Sequence, residues 1–397
     1  MQNCASRQFC LLNELMILRK ANIIPHTDVG RFAWSGLRRF HHVPSVVDTL
    51  MLLHAVPSKH RPNVLKQASQ IRQCLIQARE YKEAAAATSL ATKPLLLYYS
   101  LMSLALAQIL FKGGGNDSLD AARGEHSHHG LVFRTPQVPK DAYQLATTAS
   151  RLIAEPMTTG GKRRGTFELW HRTAREDPVV GLLTRPSGDG TTTAPAHVFF
   201  VGRDERMGEI PEQGISLLDC FAGTPGMLEW LAGQDVNSDV VRAMFNGRVL
   251  QDGGLEQQLV VHPHRADRIQ QFSDDIKIRA SDVDRVNITE LASAFVLRVQ
   301  DKSDDRVHMS LPPCAMWTTD EIRFLPSKTS INEFGYIYIG LYILGNYARY
   351  FPDRWMVDVE SGSPLAMAAE EFVAMAEWRM ALLTLSDLSQ NYLVRQI

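Results

Sequence analysis

The chain lacks the local signatures that most often announce an enzyme. No G-x-S-x-G elbow, no H-E-x-x-H pair, no Walker G-x-x-x-x-G-K-[ST] and no G-x-G-x-x-G occurs in it. Serine-hydrolase, zincin, P-loop and dinucleotide-binding chemistry are therefore without their usual frames. Charge of one sign is missing as well: 42 lysines and arginines face 43 aspartates and glutamates, a net charge of -1. That balance gives no global attraction to nucleic acid or to an anionic membrane, so any such binding must come from a local patch.

Cysteine is scarce. Cys4, Cys10, Cys74, Cys220 and Cys314 are scattered and include no C-x-x-C pair, which suits free thiols in a reducing compartment. The N-terminus places no basic run before an apolar core, so no signal peptide is expected. Both observations point to the cytoplasm. Long hydrophobic runs are lacking too. The stretch LLLYYSLMSLALAQILF, residues 95–111, is seventeen residues without a charge, against about 20 for a spanning helix. Lys93–Pro94 and Lys112–Gly113 close it, and Ser100, Ser103, Gln108 and two tyrosines interrupt it. A second apolar stretch, FGYIYIGLYILGNYA at 334–348, is shorter still. Helices apolar all round are the central members of a bundle, and both are expected to be core rather than membrane.

Residues 1–110 read mostly as helix. Val64, Ala68, Ile71, Leu75 and Ala78 recur at three and four, one apolar stripe on a polar helix that starts near Pro62 and ends near Thr88–Ser89. Pro94 suits the first turn of the next helix. A polar, histidine-rich break follows at 112–135, then a Gly-rich turn at 158–166 and a loop at 185–195. HVFFVGRD, QQLVVHP, SAFVLRVQ and VHMSLPP are short, β-branched and partly alternating, as strands are. Between them ISLLDCFAGTPGMLEWLAG implies two short helices about a turn at Thr224–Gly226. After Pro326 long helices return. The expected fold is α+β, predominantly a helical bundle built from N- and C-terminal segments with an inserted strand-rich region. The segments are 1–135, 136–325 and 326–397.

Several of these stretches resemble the bacterial YaaC-like family: AREYKEAAAAT, KPLLLYYSLMSLALAQIL, HHGL at 128–131, ISLLDCFAGTPGMLEWL, and YILGNYARYFPDRW at 342–355. The resemblance runs from about residue 60 to about residue 390 and implies a bacterial, cytoplasmic protein. It brings no catalytic residues with it.

The densest chemistry is Arg123-Gly-Glu-His126-Ser-His128-His129-Gly130. Three imidazoles within four residues are too crowded to share one ion, and no cysteine or aspartate pair lies nearby, so no metal and no cofactor are expected. Arg123 and His128 have the R-x4-H spacing of HEPN-type ribonucleases. There an imidazole serves as acid or base at the ribose 2′-hydroxyl and a guanidinium steadies the phosphate. Arg123, His128 and His129 are accordingly the candidate catalytic residues; the plain alternative is a solvated loop packed back on the helices. Lys162, Arg163 and Arg164, flanked by glycines and followed by His171, Arg172 and Arg175, form the compact basic patch. Arg349 and Arg354 stand among Tyr347, Tyr350, Phe351 and Trp355, where they either clamp a base or close a helix whose aromatics belong to the core. These five are the candidate phosphate-binding residues. Asp274–Asp275 and Asp304–Asp305 read as solvated loop.

The leading expectation is a protein that works by binding a partner protein, a nucleotide or RNA, in a regulatory or defence-associated role. A HEPN-like, metal-independent ribonuclease is the alternative, and a subunit of a larger assembly the third. An oligomer is compatible with each.

Overall fold

The structure, a computed structural model, describes residues 19–24, 27–113, 118–120, 128–135, 144–176, 208–234, 236–249 and 331–395, with short strands between 179 and 206 and between 255 and 324. Its helices in chain order are α1 (Val29–Leu37), α2 (Val43–Leu53), α3 (Arg61–Ala86) and α4 (Lys93–Lys112). Then come the short α5 (Leu145–Ala149), α6 (Thr166–Thr173), α7 (Leu217–Ala222) and α8 (Leu228–Ala232). The C-terminal set is α9 (Glu333–Tyr350), α10 (Pro352–Ser361) and α11 (Pro364–Ser389).

The stripe from Val64 to Ala78 is buried along α3 and packs on α4. Helix α4 is the central member, with α3, α6, α9 and α11 all against it. It is long and apolar enough to cross a membrane, yet most of it is buried inside the fold. Its polar side chains are spent internally. Ser100 Oγ donates to the Ala78 carbonyl at 2.6 Å. Gln108 donates to Thr384 Oγ1 of α11 at 3.0 Å and accepts from Trp170 Nε1 of α6 at 2.7 Å. A buried polar group is costly unless paired, so these bonds fix which helices surround α4. Helix α9 is buried along nearly its whole length.

The N- and C-terminal helical segments therefore form one bundle, and the fold is α+β. Side chains of the middle region join the same core: Leu145, Phe167, Trp170, Leu217 and Phe221 are all buried with it. A six-stranded antiparallel sheet, in spatial order 286–291, 294–301, 255–262, 241–249, 321–324, 314–316, completes the inserted part. Arg323 fastens it to the helices. Its buried guanidinium donates to the Pro225 carbonyl at 2.6 Å, to Glu229 and to Glu321.

Two local expectations differ from what forms. Within the stretch read as helix, Arg19–Ile24 is a strand (β1) lying parallel between 391–395 and 179–182. Its partners lie far along the chain, Val179 opposite Arg19 and Asn391 opposite Lys20, so no local period could announce it. The 112–135 break also ends in a strand: Leu131–Arg134 (β2) pairs antiparallel with Ile153–Pro156 (β3). The Gly-rich turn is a hairpin of Thr158–Thr159 (β4) and Lys162–Arg163 (β5).

A candidate phosphate-binding face

The turn at His128–Gly130 is held by backbone before side chains matter. The N–H groups of Thr166 and Phe167, at the start of α6, donate to the carbonyls of His128 and His129 at 2.8 and 3.0 Å. A helix start leaves such donors without partners; here the neighbouring loop supplies its own carbonyls instead of a side-chain cap. Met157 N donates to the Gly130 carbonyl at 2.9 Å, and Arg164 N to the Met157 carbonyl at 3.2 Å. Loop, hairpin and helix start thus form one knot. Gly130 and Gly165 sit at its centre with φ of +85° and +113°, conformations that suit glycine alone. A Cβ on Gly165 would lie 2.3 Å from Gly130 Cα.

From this knot His129 turns inward on one side and faces solvent on the other. Its Nδ1 is 2.8 Å from the Tyr98 hydroxyl of α4. The Tyr98 ring meets Tyr338 and Tyr342 of α9 edge-on at 5.8 and 5.4 Å, and Tyr342 Oη donates to the Leu131 carbonyl at 2.7 Å. Burial pushes the Tyr98 phenol well above its ordinary pKa and Tyr342 up to about 12.

Arg349, at the end of α9, stands beside this histidine. Its Nη1 is 3.4 Å from the Tyr99 hydroxyl and its guanidinium lies 5.1 Å from the centre of the Tyr350 ring. Tyr99 in turn stacks on Tyr81 of α3 at 5.4 Å. Partial burial, then the Arg349 charge, then His128 lower the His129 pKa from the usual 6.5. A folded-state pKa below the unfolded one means the stabilisation is present above about 6.5 and is lost as pH falls through the lowered value. The expected result for Arg349→Ala is a His129 pKa shifted back toward 6.5, followed through the imidazole resonances against pH. An anion bound beside the ring raises it in the same way. A titration indifferent to both contradicts this placement.

Of the residues singled out in the sequence, the backbone of His128 and His129 is bonded to the segment that follows Lys162, Arg163 and Arg164, and Arg349 stands beside His129. His128, Lys162, Arg164 and Arg349 are exposed, Arg163 partly so. Among the described residues none of these four basic residues, Lys162, Arg163, Arg164 and Arg349, is in an ion pair with a carboxylate. Arg354 is placed differently from the expectation of a shared helix end. Pro352 stops α9 but also opens α10, so Arg354 lies in the first turn of α10, 5.6 Å from the Phe351 ring centre. The proline that ends one helix is suited to begin the next. Tyr347 and Trp355 are core, whereas Tyr350 is 59% exposed. Arg123 and His126 lie outside the described residues. No group of three His, Cys, Asp or Glu side chains suited to a metal occurs among the described residues. Tyr98, Tyr99, Tyr81 and Gly165 were not singled out in the sequence. The adjacent Tyr98-Tyr99 pair on an otherwise aliphatic helix is the signal that could have found the first two.

Fold and face together define a helical α+β protein with a basic, tyrosine-backed surface. Residues 51–155 match the family model described as YaaC-like Protein, so the chain carries a YaaC-like region there, as its sequence resemblance suggests. That region spans α3, α4, the His128–Gly130 turn, β2 and most of β3; Lys162–Arg164 and Arg349 come from outside it. No curated protein and no solved structure matches the chain.

Proposed function

We propose that the chain is a cytoplasmic binding protein whose basic face takes the phosphate backbone of single-stranded RNA. The observation that supports this reading is that cationic groups from two separate segments, Lys162–Arg164 and Arg349, flank the Tyr98-held His129 segment, none in an ion pair with a carboxylate among the described residues. Tyr350 and Tyr99 beside them offer rings on which bases stack. The two buried free thiols, Cys74 and Cys220, suit a reducing compartment.

Fluorescence anisotropy with a labelled RNA oligomer tests it. If Lys162, Arg163, Arg164 and Arg349 each meet one phosphate, log Kd rises with log salt at a slope of about 3. Arg349→Ala lowers that slope by about 0.7, and Lys162→Glu/Arg164→Glu abolishes measurable binding at physiological salt. Binding tightens as pH falls and His129 gains its proton. A salt-independent or unchanged affinity sinks the proposal.

A ribonuclease is the second reading, favoured by one observation: an exposed histidine of lowered pKa, held through Nδ1 by Tyr98, with a guanidinium beside it. Cleavage of the same oligomer, lost on His129→Ala and insensitive to chelator, would select it.

A further inference from the structure

On the other flank of α3 from Tyr81 lies a cleft. Arg79, Lys82 and Glu83 of α3 form one wall, Gly30, Arg31 and Trp34 of α1 another, and Ala374, Glu377 and Trp378 of α11 the third. Arg38, just past α1, also lines it. Its volume of about 630 Å³ falls in the range of small-molecule sites, roughly 300–1,000 Å³. The α1–α11 contact is close: a Cβ on Gly30 would sit 3.0 Å from Trp378 Cβ. Trp34 is fixed across it by an Nε1 bond to the Glu377 carbonyl at 3.2 Å. Two indoles therefore line the cleft on a rigid frame.

The charges of the cleft do not cancel evenly. Lys82 pairs with Glu377 at 3.2 Å, and Arg79 with Glu83 at 2.6 Å. Asp28 caps α1, accepting from Arg31 N at 2.8 Å. The guanidinium groups of Arg31 and Arg38 have no carboxylate partner among the described residues. Burial, then Arg72, Arg38 and Arg79, lower the pKa of His41, three residues past Arg38. The two guanidinium groups without a carboxylate partner thus come from the α1 segment, as does Trp34, while Trp378 comes from α11.

We propose that this cleft binds a nucleotide, its base against Trp34 and Trp378 and its phosphates on Arg31 and Arg38. An aromatic ring and an anion in one small molecule match the two kinds of side chain in the lining, by stacking and by charge-assisted hydrogen bonds. The site is separate from the RNA face and stands or falls independently of it.

Isothermal titration of the full chain with ATP, GTP, CTP and UTP, then with inorganic triphosphate and adenosine alone, tests the assignment. At least one nucleotide is expected to bind at least about tenfold tighter than either half. Arg31→Ala/Arg38→Ala, both exposed and with thermal unfolding unchanged, weakens it about 10- to 100-fold, the range for losing hydrogen bonds to charged groups. Lys162→Glu/Arg164→Glu leaves it unchanged. Three outcomes overturn the proposal. No heat at millimolar nucleotide removes the site. Triphosphate binding as tightly as any nucleotide reduces it to an anion site without base recognition. Loss of binding in the Lys162/Arg164 variant moves the nucleotide to the other face.

Discussion

Arg379→Ala is expected to destabilise the protein by about 3–5 kcal/mol, the cost of breaking a buried ion pair from one side. Arg379, midway along α11, donates from Nε and Nη2 to the two carboxylate oxygens of Glu333, each at 2.7 Å. The two side chains are only 4% and 10% exposed. Glu333 opens α9, where a negative charge also meets the helix dipole. Without the guanidinium, that carboxylate stays in the bundle with no counter-charge. Replacing both partners by methionine should recover most of the loss, because no charge is then left stranded. Urea midpoints of the two singles and the double measure this. A loss below about 1 kcal/mol for Arg379→Ala, the level of a surface pair, contradicts the packing of α9 on α11 described above.

Gly165→Ala carries the second large effect, on the order of 3 kcal/mol from the strained backbone conformation together with the clash. At φ +113° and with a Cβ forced 2.3 Å from the Gly130 backbone, either the loop or the start of α6 must move. Gly160→Ala is the internal comparison. Its φ is +58° and nothing lies within 4 Å, so only the cost of a left-handed alanine remains, about 1–2 kcal/mol. Displacing the knot also separates His128 and His129 from Lys162–Arg164, and RNA affinity should fall in the Gly165 variant alone. Equal losses for the two glycines would mean that the close approach is not part of the folded state.

Much of the bundle was legible in the sequence, for identifiable reasons. The α3 stripe has an unambiguous period, Pro62 and Pro94 mark helix starts, and the turn at Thr224–Gly226 falls between two short helices as expected. Pairing between remote segments was not legible: β1 finds 391–395, and β2 finds β3, through backbone bonds that leave no trace in local composition. The face was legible in parts. His128–His129, Lys162–Arg164 and Arg349 each stood out as charge or imidazole. That they are neighbours depends on Tyr98 and on the Gly130–Gly165 contact, which only the packing of α4 against α9 and α6 creates.

Photo-crosslinking of 4-thiouridine RNA to the purified chain, read by peptide mass spectrometry, tests the central claim most directly. Adducts are expected on peptides from all three segments, around His128–His129, around Lys162–Arg164 and at Tyr350 beside Arg349, and they should vanish together with added salt. Adducts confined to the six-stranded sheet, or none from any segment of the face, would contradict it.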